Sequence, residues 1–172
     1  MTKFLVGMIV GACLLALAGF LFVTQGGVNM SNDAPPLPLE RYLANHALAA
    51  SIGSAENDKS PVPADEATLL AGAKLYQERG CIGCHGAYGQ GATGFSQRVY
   101  PHIPPLLPPA EGVTDDPVGA THWVVKHGIR FSGMPSFGKK LTDTELWQVS
   151  QMLRNANELP PSVQDSLRGK PK

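Results

Sequence analysis

Apolar residues run unbroken from Phe4 to Val23 (FLVGMIVGACLLALAGFLFV), and beyond this run apolar and polar positions alternate in short stretches. The run holds 20 residues with no charge and no proline. At about 1.5 Å per residue it forms a helix of about 30 Å, the thickness of a bilayer's hydrocarbon core. Four later stretches carry helical spacing instead. From Pro38 to Ile52, the residues Leu39, Tyr42, Leu43, His46, Ala47 and Ala50 share one face, and Gly53 ends the pattern. This predicts a short helix at about 38–52 docked on the rest of the protein. A helix on the membrane surface is the alternative, but Arg41 is the one basic residue it would offer to lipid. Asp65 can cap a second helix carrying Leu69, Leu70, Ala73 and Tyr76, with Gly80 as its stop. A third starts at Asp115-Asp116-Pro117, runs through Trp123 and closes at Gly128. Thr142-Asp143-Thr144-Glu145 is a capping box for the last helix, striped by Leu146, Val149, Ser150 and Leu153 and ended by Asn157, Pro160 and Pro161.

These patterns give four expected regions. Residues 1–24 form a transmembrane anchor, 25–64 a linker with its short helix, 65–160 a helical domain, and 161–172 a C-terminal tail. The first region has two other readings. Ala16-Leu17-Ala18 fits a signal-peptidase site, but cleavage there leaves an apolar stub from Phe20 to Val23. Acylation of Cys13, as in a lipoprotein, leaves ten apolar residues after the lipid anchor. An uncleaved anchor accounts for the whole run. Lys3 precedes the span and the next basic residue is Arg41, which places the N-terminus in the cytoplasm and the bulk of the chain on the exported side of an inner membrane.

Composition adds two constraints. Lysine plus arginine equal aspartate plus glutamate at 14 each, which excludes an overall polybasic nucleic-acid binder and an acidic solvating tail. Apolar residues make up 43% of the 172, but the first 23 positions take 18 of them, leaving the remainder near 38%. The soluble part is short of core-forming side chains, so something other than side chains is expected to fill its middle.

Cys81-Ile82-Gly83-Cys84-His85 names a candidate for that filling. C-x-x-C-H is the covalent haem-attachment signature. Two thiols three residues apart on a helical turn reach the two vinyl groups of one porphyrin, and the adjacent histidine meets the iron from the same side. A redox C-x-x-C would want an α/β setting, and no strand pattern surrounds this one. A zinc site would want four ligands, and the remaining cysteine, Cys13, lies in the apolar span. The motif occurs once, so one haem is expected, with iron held by His85 and thioethers at Cys81 and Cys84.

For the second axial position the sequence offers Met134, His102, His122, His127 and Met152. Met134 sits in Ser132-Gly133-Met134-Pro135-Ser136-Phe137-Gly138, where glycines and a proline make a stiff loop that a core methionine would not need. Met152 falls in a helix and reads as core. His127 stands at a helix end where it can meet terminal carbonyls, His122 lies a turn earlier, and His102 is in a proline-rich loop. Met134 is the expected ligand; an open sixth position is the alternative.

With these residues in view, the chain resembles the class I cytochrome c domain in a membrane-anchored bacterial form. The resemblance covers about Asp65 to Leu159. It rests on Gly72 and Tyr76 before C-I-G-C-H, on Gly133-Met134-Pro135, and on Leu141-Thr142-Asp143-Thr144-Glu145-Leu146-Trp147. It implies an all-α cytochrome c fold wrapped around one covalent haem, with the first and last helices crossing near Gly72 and Tyr76 beside Leu146, Val149 and Leu153. It also implies His85 as proximal and Met134 as distal ligand, with a carbonyl of Pro104 or Pro105 accepting the His85 ring N–H. Gly80 adds a residue before the first cysteine, and Met152 stands where an aromatic is usual.

An iron with both axial sites taken by protein has no room for a substrate, which leaves one-electron transfer rather than enzymatic turnover. The expected function is a membrane-anchored carrier passing single electrons between redox proteins of a respiratory chain, with neither nucleic acid nor small-molecule substrate as partner. The alternatives are a fixed haem subunit of a larger oxidoreductase complex and a haem sensor with an open sixth site. Lys126, Arg130, Lys139 and Lys140 flank the Met134 loop and are candidates for the partner-facing side.

Overall fold

A computed structural model describes residues 1–168. Every regular element among them is helical. The chain divides into two compact units, one ending at Tyr42 and the other beginning at Leu43.

The first unit contains α1 (Thr2–Thr24), long and apolar enough to cross a membrane and with none of its residues buried against protein. Its apolar side chains point outward on all sides, which is stable in lipid and not in water. After α1 the chain is irregular until Glu40, whose carboxylate accepts from the Leu37 N–H at 2.8 Å and so caps the start of α2 (Glu40–Ile52).

The second unit is built on α3 (Glu66–Glu78), α5 (Val118–His127) and α6 (Asp143–Arg154). The Asp65 carboxylate caps α3 by accepting from Thr68 N–H at 2.8 Å, and Thr142 with Glu145 forms the full capping box on α6. α3 and α6 pack on one another at Gly72, where a Cβ would run into the Gln148 carbonyl and stand 2.9 Å from Met152 Cβ. Glycine is required there because the helix backbones touch. Leu69, Ala73, Tyr76, Leu146, Val149 and Leu153 share the resulting core. Met152 is fully buried beside Gly72, as a core residue.

Two segments behave differently from the sequence-based expectation. The short helix at about 38–52 exists, but the face expected to dock is uncovered: Leu43 is 60% exposed, and Ala47 and Ala50 are exposed as well. The half-buried apolar residues are Leu48 and Ile52, on the opposite side. What holds the segment is the next piece, a 3-10 turn at Gly53–Asn57, whose backbone lies directly on α5. A Cβ on Gly119 would collide with the Ala55 carbonyl and stand 2.8 Å from that of Asp58. Gln151 of α6 then donates to the Val62 carbonyl at 3.1 Å. The second half of the linker is therefore bound, through backbone contacts that no side-chain periodicity records.

The second departure concerns the C-terminal tail. Pro161–Leu167 forms a further helix, α7, which packs on α3 with Val163 and Leu167 fully buried. Pro161 opens this helix, since proline is tolerated at a first turn. Two apolar residues four apart were too little signal to read. Residues 169–172 of the expected tail lie outside the described residues.

Candidate functional site

Cys81–His85 is a single helical turn, α4, entered from Gly80 in the left-handed conformation. The extra residue noted in the sequence is thus the pivot between α3 and α4, and it leaves the α3–α6 crossing intact. A side-chain bond and a tight backbone approach fix the turn. The Tyr76 hydroxyl, wholly buried on α3, donates to the Gly86 carbonyl at 2.9 Å, and burial holds that phenol in its neutral, donating form. Gly86 itself has φ +86, and a Cβ there would collide with the Gly91 carbonyl, so the chain folds back tightly after His85.

The two thiols are half-buried and unpaired. Burial pushes the Cys81 thiol up to about 11, the opposite of the lowered value that a redox C-x-x-C thiol needs. The His85 ring lies with Nδ1 2.8 Å from the Pro104 carbonyl oxygen. A carbonyl can only accept, so Nδ1 carries the proton and Nε2 keeps its lone pair for a metal. Of the two prolines that could fill this role, Pro104 does. Burial lowers the His85 pKa, and the Pro104 bond pulls the other way.

Met134 lies in a loop folded back on the end of α5. Ile129 N–H donates to the Met134 carbonyl at 3.2 Å, and Met134 N–H donates to Ser132 Oγ at 3.1 Å. The Lys126 carbonyl accepts from Gly138 N–H at 2.9 Å and from Ser136 Oγ at 2.7 Å. Gly128, at φ +69, has the Met134 carbonyl oxygen 2.7 Å from where a Cβ would be. Cys81 and Met134 pack, half-buried, against the same apolar core. Neighbouring residues link the two sides: Pro104 bonds His85, while Ile103 Cδ1 lies 3.9 Å from a Cβ placed on Gly133.

The other histidine candidates for the sixth position have partners of their own. His102 Nδ1 is 2.9 Å from the Val99 carbonyl. His127 tilts against Trp123 with ring centroids 4.8 Å apart. His122 stacks flat on Trp147 at 3.8 Å. Its Nε2 is 3.4 Å from Asp143 Oδ1, and Asp143 also accepts from Lys126 Nζ and Trp147 Nε1, each at 3.1 Å. This cluster was not read from the sequence. His122, Trp147 and Asp143 are spread over two helices, and only their packing joins them.

The donor set of two thiols, an imidazole with its lone pair free and a thioether beside an apolar core fits a covalent c-type haem. Cys81 and Cys84 would hold the porphyrin and His85 the iron, and the iron would supply a one-electron couple.

Comparison with known proteins agrees. The family model for cytochrome c oxidase, cbb3-type, subunit III matches residues 67–151. A cbb3-type cytochrome c oxidase subunit CcoP from Azospirillum brasilense is 27% identical over 143 residues, which are 76% of this chain and 44% of that protein. The chain thus spans less than half the length of that relative. No solved structure matches it at a significant level. Residues 67–151 thus form an all-helical cytochrome c domain, of a kind that carries covalently bound haem c, and one helix long and apolar enough to cross a membrane precedes it.

Proposed function

We propose that this protein passes single electrons between respiratory redox proteins at the outer face of an inner membrane, through one haem ligated by His85 and Met134 and bonded to Cys81 and Cys84. The observation that carries this reading is the His85–Pro104 bond, which supports it by leaving the Nε2 lone pair free for iron next to Cys84 in the same turn. Met134 is the second ligand because its loop is locked by backbone bonds that would be superfluous for a packing methionine. With both axial positions occupied by side chains, the chain itself carries out no substrate chemistry. The likeness to an oxidase subunit favours a fixed place in a membrane oxidoreductase complex over a free shuttle.

The test uses the full-length protein in mild detergent. The haem should stay with the polypeptide through acidified acetone, and the ferrous protein should not bind carbon monoxide at neutral pH. Release of haem sinks the covalent assignment; ready carbon monoxide binding turns the reading to a sensor with an open sixth site. Protease added outside intact spheroplasts should digest the haem domain, whereas protection would reverse the orientation.

A further inference from the structure

Phe131 is the most exposed side chain of its size outside the first unit, at 92%, and it sits at φ +60. That conformation is unfavourable for a residue with a Cβ and is rarer still for an aromatic. The surrounding loop imposes it. Ser132 N–H and Oγ both donate to the Ile129 carbonyl, at 3.3 and 2.8 Å, closing the turn in which Phe131 sits. Ser132 Oγ in turn accepts from Met134 N–H. A large apolar ring is therefore held out into solvent, three residues from Met134, by a turn that would be more comfortable with glycine. Strain maintained at an exposed position points to function rather than packing.

The surroundings specify what would meet it. From Val118 to Thr142 the chain holds Lys126, Arg130, Lys139 and Lys140 and no carboxylate. Asp143 occupies Lys126, while Arg130, Lys139 and Lys140 are exposed. A second exposed aromatic, Phe95, adjoins Ser96, whose carbonyl accepts from Ile103 N–H, and Ile103 approaches Gly133. The two loops bearing the exposed rings thus meet through Ile103.

We propose that Phe131 is the apolar anchor of a docking surface for a protein redox partner with an acidic rim, the ring entering an apolar recess while Arg130, Lys139 and Lys140 steer the approach. The proposal rests on the reading of the chain as an electron carrier. Exposed aromatics ringed by charge are the usual energetic centres of protein interfaces, with charges setting the encounter rate.

The test mixes full-length ferrous protein in mild detergent with membranes from the source organism lacking its gene, and follows haem oxidation by absorbance. Phe131→Gly is the informative variant, because glycine suits φ +60 and keeps the loop. The second-order rate with membranes should fall roughly tenfold or more, and Phe131→Tyr should restore most of it. Oxidation by ferricyanide, which needs no docking, should stay at the wild-type rate in both. The membrane reaction should slow with added salt equally in wild type and Phe131→Gly, and Lys139→Glu with Lys140→Glu should flatten that dependence. A Phe131→Gly protein that reacts with membranes as fast as wild type overturns the anchor. A membrane rate indifferent to salt overturns the acidic rim. Wild-type haem that ferricyanide cannot oxidise breaks the electron-carrier reading itself.

Discussion

The two sides of the proposed haem site are held by opposite means. On the Cys81–His85 side a short motif carries its own chemistry, and one side-chain bond to Pro104 fixes the imidazole. On the Met134 side the proposed ligand atom is a thioether with no strong hydrogen bond to direct it, and the bonds of the Gly128–Gly138 loop, backbone and serine hydroxyl, set its place. The first side is specified by side chains, the second by the path of the chain. A substitution at Gly128 should therefore disturb the second side and leave the first intact.

The largest effect is expected from removing the thiols. Replacing both Cys81 and Cys84 by alanine should abolish covalent attachment, so that acidified acetone strips any haem the protein retains. Persistence of the haem on the polypeptide would place the attachment elsewhere. Next comes Met134→Ala, which should admit carbon monoxide to the ferrous protein, lower the reduction potential and abolish the long-wavelength band of ferric thioether ligation. Loss of the thioether disfavours ferrous iron. A variant that keeps this band would put another methionine on the iron, and a wild-type protein without it would return His102, His122 and His127 to consideration.

Gly128→Ala addresses the comparison directly. A Cβ at φ +69 beside the Met134 carbonyl should cost about 1–3 kcal/mol, lower the melting temperature and weaken the sixth ligand, while the haem stays covalently attached. Equal damage to attachment and to ligation would mean that the two sides are not held independently.

The smallest effect lies on neither side. Burial lowers the His122 pKa against the pull of Asp143, so the folded protein prefers the neutral ring. Its contribution to stability is complete above the unfolded value of about 6.5 and is lost as pH falls through the lower folded value. Between pH 7 and 5 the melting temperature should fall by a few degrees at most, less in His122→Gln, with the haem spectrum unchanged. A spectral change with the same pH profile would tie His122 to the iron.

The same contrast explains what the sequence made legible. C-x-x-C-H, the capping box at Thr142 and the Asp65 cap are local, each using residues within a few positions of one another, and they appear as read. The apolar span and the α3 and α6 stripes are periodic, and period survives without knowledge of partners. The partner of His85 was narrowed only to Pro104 or Pro105, because the choice depends on how nineteen residues of irregular chain return to the ring. The α2 face was assigned the wrong exposure because the bound piece is the 3-10 turn, whose grip on Gly119 is backbone against backbone. α7 was missed because two buried side chains, Val163 and Leu167, sufficed to dock it.

The order of the elements along the chain also sets a timetable. α3 leads into the haem-binding turn, yet the helices that pack on α3 are α6 and α7, which begin at Asp143 and Pro161. At about 5–20 residues per second, a growing chain presents Cys81 and Cys84 several seconds before Asp143 and the rest of α6 exist. Through that interval α3 lacks the helices that cover it, and the thiols belong to an open segment. Arrival of the last helix, with the Leu167 carbonyl accepting from Tyr88 N–H at 3.1 Å, ends it.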